Sequence, residues 1–166
     1  MEKTTIPENL DDLLINEIHY LYSSKDQMLA LFPRLLQTIG DRQLRKKIAS
    51  LIEDLKKQKE RLEQISMRFN MELEGYTCKS MEGLVMEAND ILSIDTTPDI
   101  TDAALLATIQ RMYGLLSVGY GTVCNYAYIL GYEEVGFMLH DTLKEVLEAQ
   151  EILNEMATEK INERAL

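Results

Sequence analysis

The sequence predicts an all-α protein, an antiparallel bundle of four long helices with a short helix in the connection between the second and third. Apolar residues recur three and four positions apart over long stretches, which is the period of a helix. Gly and Pro are scarce, with 8 and 3 among 166 residues, so few positions interrupt these stretches. The middle connection is the longest, and one long crossover is typical of ferritin-like bundles.

The first two long helices form a predicted hairpin. The first runs from about Leu10 to Gln37 with Asn9 or Asp11 as its cap, and Gly40 provides a C-terminal stop. The second begins at Asp41 and runs to about Phe69. We expect residues 1–9 to be flexible and residues 1–166 to form one domain, since this length is ordinary for a single hydrophobic core.

The second half repeats this arrangement after a crossover. Residues from Met81 to Leu92 are predicted to form the short helix, and Asp95 to Thr101 is a turn rich in cap residues. The third long helix is predicted from Ala103 to Leu130, where Gly131 stops it, and the fourth from about Glu133 to Asn162.

Composition excludes several classes of function. No apolar run approaches the roughly 18 residues that span a membrane, and no apolar stretch follows the charges near Met1, so we expect a cytoplasmic protein without a membrane partner. The two cysteines, Cys78 and Cys124, lack the spacing of a zinc site. The net charge of −11 argues against nucleic-acid binding, which needs clustered Lys and Arg.

The second helix is basic although the protein is acidic. Between Asp41 and Asn70 there are nine Lys or Arg residues against five Asp or Glu. This asymmetry predicts self-association in which the basic helix meets an acidic segment of a partner, and such association should weaken with salt.

The core-facing positions of the four helices carry almost no metal ligands. A di-metal bundle projects carboxylates and His inward from all four helices, commonly as Glu-x-x-His pairs. No such pair occurs here, and His19 and His140 lie beside the core-facing positions of their helices. We therefore expect no cofactor, no metal and no catalytic residue. The polar exceptions are Lys25 and a possible cluster of Gln58, Tyr113 and Tyr120.

Several stretches resemble the YciE/YciF family of ferritin-like proteins along nearly the whole chain. These stretches are Tyr22-Ser-Ser-Lys-Asp-Gln-Met, Glu60-Arg-Leu-Glu-Gln, Cys78-Lys-Ser-Met-Glu-Gly-Leu-Val, Asp102-Ala-Ala-Leu-Leu-Ala, Tyr120-Gly-Thr and Leu130-Gly-Tyr. The resemblance implies a helical bundle that pairs as a dimer, a connection with stress responses, and a di-metal site. It also implies Glu at the positions of Lys25, Leu116 and Val146 and His at that of Leu51. Only Asp54 keeps a carboxylate where the family has Glu.

Three functions are compatible with these observations. The first is a non-enzymatic structural or interaction protein, which pairs with itself or with a related ferritin-like protein. The second is a metal-binding oxidoreductase, with di-iron or di-manganese held by unconventional ligands. The third is a bundle that binds a small molecule near Lys25, Tyr113 and Tyr120, since ligand sites often lie between bundle helices.

Lys25 gives the most specific prediction. It occupies a core-facing position between Leu21 and Met28, where an unpaired ammonium group is costly. Asp54 lies at the edge of the facing helix, so we expect a buried Lys25–Asp54 ion pair where the family places its metal. The alternative is that the long Lys25 side chain extends along the helix to water.

Overall fold

The computed structural model describes residues 6–166, and no strand occurs in this part of the chain. Of the nine residues that the sequence predicts to be flexible, 1–5 lie outside it. Its helices are α1 Leu10–Thr38, α2 Arg42–Phe69, α3 Lys79–Ser93, α4 Pro98–Ile129 and α5 Glu133–Met156, followed by a π-helical turn Ala157–Ile161 and the short α6 Asn162–Arg164.

Side-chain caps determine where the helices begin. The Asn9 side chain accepts a hydrogen bond from the Asp12 backbone, and the Asp41 side chain accepts two, from Gln43 and Leu44. Helix α4 begins earlier than the predicted Ala103, because Thr97 caps it and Pro98 is tolerated in a first turn. The last helix also differs, since the α-helix gives way to π geometry after Met156.

Each long helix runs antiparallel to both of its neighbours. Helices α1 and α2 form one hairpin and α4 and α5 another, with α1 packed on α4 and α2 on α5. Near the middle, Leu21 of α1 lies against Gly119 of α4, while the carboxylate of Asp102, at the start of α4, binds the turn after α1. Helices α2 and α4 therefore point the same way, which requires a crossover. The predicted ferritin-like bundle is confirmed.

The crossover helix α3 lies along the outside of the groove between α1 and α4. It buries Met81 and Ala88 against the bundle. Exposed polar contacts hold its outer side, with an ion pair of 2.8 Å between Arg111 and Glu87. Helix α3 thus covers one half of the groove between α1 and α4.

Asp102 joins the two hairpins at one end of the bundle. Its buried carboxylate accepts hydrogen bonds from the backbone nitrogens of Gly40 at 2.9 Å and Asp41 at 2.7 Å. Replacing it leaves two backbone donors near the core without this acceptor. We expect Asp102→Ala to lower the free energy of unfolding by about 2 kcal/mol in urea titrations. An effect within about 0.5 kcal/mol, the range of ordinary surface substitutions, would contradict this role.

No helix in residues 6–166 combines the length and apolar character that crossing a membrane requires.

Candidate functional site

Lys25 is enclosed at the middle of the bundle. It lies in α1 with none of its surface exposed. Its Nζ donates a hydrogen bond of 2.7 Å to Oε1 of Gln58 in α2, and it lies 4.9 Å from the centre of the Tyr120 ring in α4. An amide oxygen and an aromatic face both stabilise a cation, so the amine has two favourable contacts inside the core.

Gln58 connects this amine to an ion pair nearer the surface. Its Nε2 donates to Oε2 of Glu145 in α5 at 3.0 Å. Arg61, one turn further along α2, binds both oxygens of Glu145 at 3.0 and 3.2 Å and donates to Oγ1 of Thr142 at 2.6 Å. Lys25, Gln58, Glu145, Arg61 and Thr142 form what we call the core network, which links α1, α2 and α5.

The surroundings shift the pKa values of the charged members. Burial lowers the pKa of Lys25 to about 7, the negative charge of Glu145 opposes this shift, and the positive charge of Arg61 adds to it. Burial acts to raise the pKa of Glu145, but hydrogen bonds from Arg61 and Gln58 outweigh it and hold the pKa below its usual value. Lys25 is therefore a buried amine whose pKa lies close to neutral pH.

Asp54 is not the partner of Lys25, contrary to the predicted pair. The Lys25 amine donates its hydrogen bond to Gln58, which lies four residues further along α2 than Asp54. The reason is helical phase, because Gln58 shares the inward face with Leu55 and Leu62, whereas Asp54 lies half-buried at the edge. There Asp54 lines a surface groove with Lys47 and Lys57 of α2 and Glu148 of α5.

The other positions at which the resemblance implies ligands are filled with hydrocarbon. Leu51, Leu116 and Val146 are completely buried. Among the described residues no group of three or more His, Cys, Asp or Glu side chains is arranged to hold a metal ion. Leu, Val and a hydrogen-bonded amine thus occupy these positions.

The two tyrosines of the predicted polar cluster are buried, but among residues 6–166 no hydrogen bond joins either of them to Gln58. Tyr120 contacts the Lys25 amine through its ring, and its hydroxyl has no hydrogen-bond partner in the described part of the chain. Burial raises the pKa of Tyr113, and the negative charge of Asp54 adds to this shift. Neither phenol is poised to lose its proton near neutral pH.

The remaining candidates for chemistry, His19, Cys78 and Cys124, are buried. His19 is buried rather than at the boundary, because its Nε2 donates to the Glu72 carbonyl at 2.8 Å and its ring stacks on Tyr76. Burial raises the pKa of the Cys124 thiol to about 11, so it is not a reactive thiolate at neutral pH. Cys78 is a buried free thiol.

Sequence reasoning missed the outer half of the core network. Glu145 and Arg61 flank the inward faces of their helices, where periodicity alone predicts contact with solvent. Their side chains are partly exposed, at 42% and 26%. The sequence did contain a signal for this ion pair. A basic and an acidic residue at the edges of adjacent antiparallel helices can pair beside a buried polar group.

The fold and the core network define a class of protein. It is a ferritin-like four-helix bundle whose central positions are occupied by Leu, Val and Lys side chains. The chain belongs to the family DUF892, described as a domain of unknown function, whose match covers residues 9–166.

Known relatives agree with this membership. Protein YciF of Escherichia coli K12 is 26% identical over 95% of this chain and 96% of its own length. The crystal structure of the E. coli stress protein YciF superposes with a TM-score of 0.88, covering 94% of this chain and 99% of that one. YcfI of Rhodopseudomonas palustris, a candidate structural protein, superposes with a TM-score of 0.85 at 26% identity. The superposition covers 89% of this chain and 94% of that one.

Proposed function

We propose that this protein is a non-enzymatic bundle with a structural or interaction role and without a di-metal site. The observation that carries the proposal is the completely buried Lys25 amine at the centre of the bundle. A di-metal centre needs several anionic ligands close to it, and a cation in their midst repels a metal ion. In its charged form Lys25 supplies that repulsion, and Gln58 holds it in place.

The cellular role follows by analogy from the relatives. One is called a stress protein and another is a candidate structural protein. We infer that this chain serves a stress-related structural role in the cytoplasm, and that it does so by associating with a second copy or a related bundle.

The charge on α2 gives only part of a binding surface for that association. Four of its basic side chains form ion pairs within the chain: Lys56 with Glu53, Lys59 with Asp26, Arg61 with Glu145 and Arg68 with Glu134. These pairs lower the positive charge that α2 presents to a partner.

Metal analysis tests the absence of a di-metal site. Purified protein is incubated with Fe(II) and with Mn(II), separated from free metal and measured by elemental analysis. We expect no stoichiometric metal in wild type or in Lys25→Met, because removing the amine does not create ligands. One or two tightly bound ions per wild-type chain would instead support the metal-binding oxidoreductase.

A further inference from the structure

The Tyr120 hydroxyl is a polar group enclosed in the core without a partner. Tyr120 lies in α4 with none of its surface exposed, and its Oη atom makes no hydrogen bond in the described part of the chain. Buried polar atoms are nearly always paired, so an unpaired one needs a partner that the polypeptide does not supply. Such a group is therefore a sign of a small bound molecule or ion beside it.

The Lys25 amine lies next to this tyrosine and also has a hydrogen bond to give. Its Nζ atom is 4.9 Å from the centre of the Tyr120 ring and donates to Oε1 of Gln58 at 2.7 Å. An ammonium group has three donors, and among residues 6–166 this is the one hydrogen bond that Nζ makes. Even if a second N–H points at the ring face, another is left for an acceptor.

The amine also lacks an anion of its own. Glu145 is the carboxylate of the core network, and Arg61 binds both of its oxygens while Gln58 binds one of them. The Lys25 amine contacts the neutral amide of Gln58 instead. With Lys25 protonated, the core network therefore carries two positive charges and one negative charge. A buried cation is costly unless an anion neutralises it, so this centre favours the uptake of one negative charge.

We propose that one small monovalent anion of the size of chloride binds between the Lys25 amine and the Tyr120 hydroxyl, and accepts a hydrogen bond from each. A halide ion accepts hydrogen bonds from any direction, so donors that approach from α1 and from α4 can both reach it. The positive charge that repels a metal ion attracts this anion. The proposal concerns what the core binds, and it holds whether or not the protein has the structural role proposed above.

A groove on the surface gives the anion a way into the core. It lies between α2 and α5, has a volume of about 240 Å³, and is lined by charged side chains of both signs, namely Lys47, Asp54, Lys57, Glu145 and Glu148. Glu145 belongs to the groove and to the core network, and its side chain is 42% exposed. We expect the anion to enter when Arg61 separates from Glu145, because Gln58 joins this pair to the amine.

Anion binding at this site should depend on the protonation of Lys25. The charged amine attracts the anion and the neutral amine does not, so bound chloride raises the pKa of Lys25 above its value of about 7. The titratable or charged groups facing the amine are Tyr120 from α4, Arg61 from α2 and Glu145 from α5. Burial raises the pKa of Tyr120 and acts in the same direction on Glu145, whose hydrogen bonds nevertheless hold its pKa below the usual value. Lys25 is therefore the group of this site that titrates near neutral pH.

Carbon NMR of the Lys25 side chain reports this coupling, since the chemical shift of its Cε atom follows the charge of the amine. Protein labelled with carbon-13 lysine is titrated with base in sodium chloride and, at equal ionic strength, in sodium gluconate, whose anion is too large for the core. We expect the Lys25 pKa of wild type to be higher in chloride than in gluconate. Lys25→Met identifies the resonance by removing it.

Two tyrosine variants test where chloride binds. Tyr120→Phe removes only the unpaired hydroxyl and should weaken chloride binding at least tenfold, so that at least ten times more chloride is needed for the same rise in the Lys25 pKa. Tyr113→Phe is the matched control, because it removes the hydroxyl of another buried tyrosine of α4. We expect this control to respond to chloride as wild type does.

Crystals grown below about pH 7 with sodium bromide locate the ion directly, because bromide scatters anomalously. We expect a peak within hydrogen-bond distance of Lys25 Nζ and Tyr120 Oη in wild type, and none there in Lys25→Met. Equal Lys25 pKa values in chloride and gluconate would overturn the proposal, as would a water molecule in place of the bromide peak. So would an unchanged response in Tyr120→Phe, because chloride would then act on the amine from another place.

Discussion

Gln58→Leu is expected to lower the free energy of unfolding by on the order of 3 kcal/mol at neutral pH and below. The substitution removes the hydrogen bond that Lys25 makes at 2.7 Å and leaves its ammonium group enclosed beside hydrocarbon. Removing one partner of a buried charged group lowers the free energy of unfolding by more than the contact had contributed, because the remaining charge stays away from water without a partner. Urea unfolding followed by circular dichroism measures the change.

Two controls separate this effect from a general loss of packing. Asp54→Ala removes the carboxylate that the sequence predicted as the partner, and we expect less than about 1 kcal/mol because Asp54 is half-buried at the edge. The double variant Lys25→Met, Gln58→Leu replaces both groups with apolar ones and should recover most of the loss. A large effect of Asp54→Ala, or no recovery in the double variant, would contradict the core network.

The free energy of unfolding of the wild type is expected to rise with pH above about pH 7, and Lys25→Met is expected to abolish this rise. The pKa of Lys25 is about 7 in the folded protein against an ordinary value of 10.5. Between these values the unfolded chain binds the proton and the folded protein does not, so stability increases with pH, by up to about 1.4 kcal/mol per pH unit. Below pH 7 both states are protonated and the full cost of burying the ammonium is present.

The comparison of wild type with Lys25→Met isolates this one titration. Other groups contribute equally to both proteins, so the difference between their free energies of unfolding should change steadily from pH 7 to about pH 10 in favour of wild type. A difference that is constant across this range would show that the amine keeps an ordinary pKa in the folded protein.

The helices could be predicted from the sequence because apolar spacing and cap residues specify them locally. Asn9, Asp41 and Gly131 mark boundaries whose physical cause lies within a few residues. The start of α4 was harder to locate, because Pro98 serves equally as a turn residue and as a first-turn helix residue. The topology could be predicted from the single long crossover, because a crossover at this place makes α2 and α4 run in the same direction.

The candidate site could be predicted only in part. Periodicity identifies Lys25 as inward-facing, because the angle of a side chain around its helix follows from its position alone. Choosing between Asp54 and Gln58 as its partner depends on how two helices are rotated against each other, and electrostatics favoured the carboxylate. The structure favours the amide, since Gln58 also binds Glu145 and so connects the amine to a carboxylate that stays partly in water.

Crystals grown with excess Mn(II) test the central claim most directly, because anomalous scattering locates manganese and the same map shows the Lys25 side chain. We expect no anomalous peak inside the bundle and the Lys25 amine within hydrogen-bond distance of Gln58 Oε1. A peak in the core within ligand distance of Asp54 or Glu145, with the Lys25 side chain displaced, would contradict the claim that this amine has taken the place of a metal.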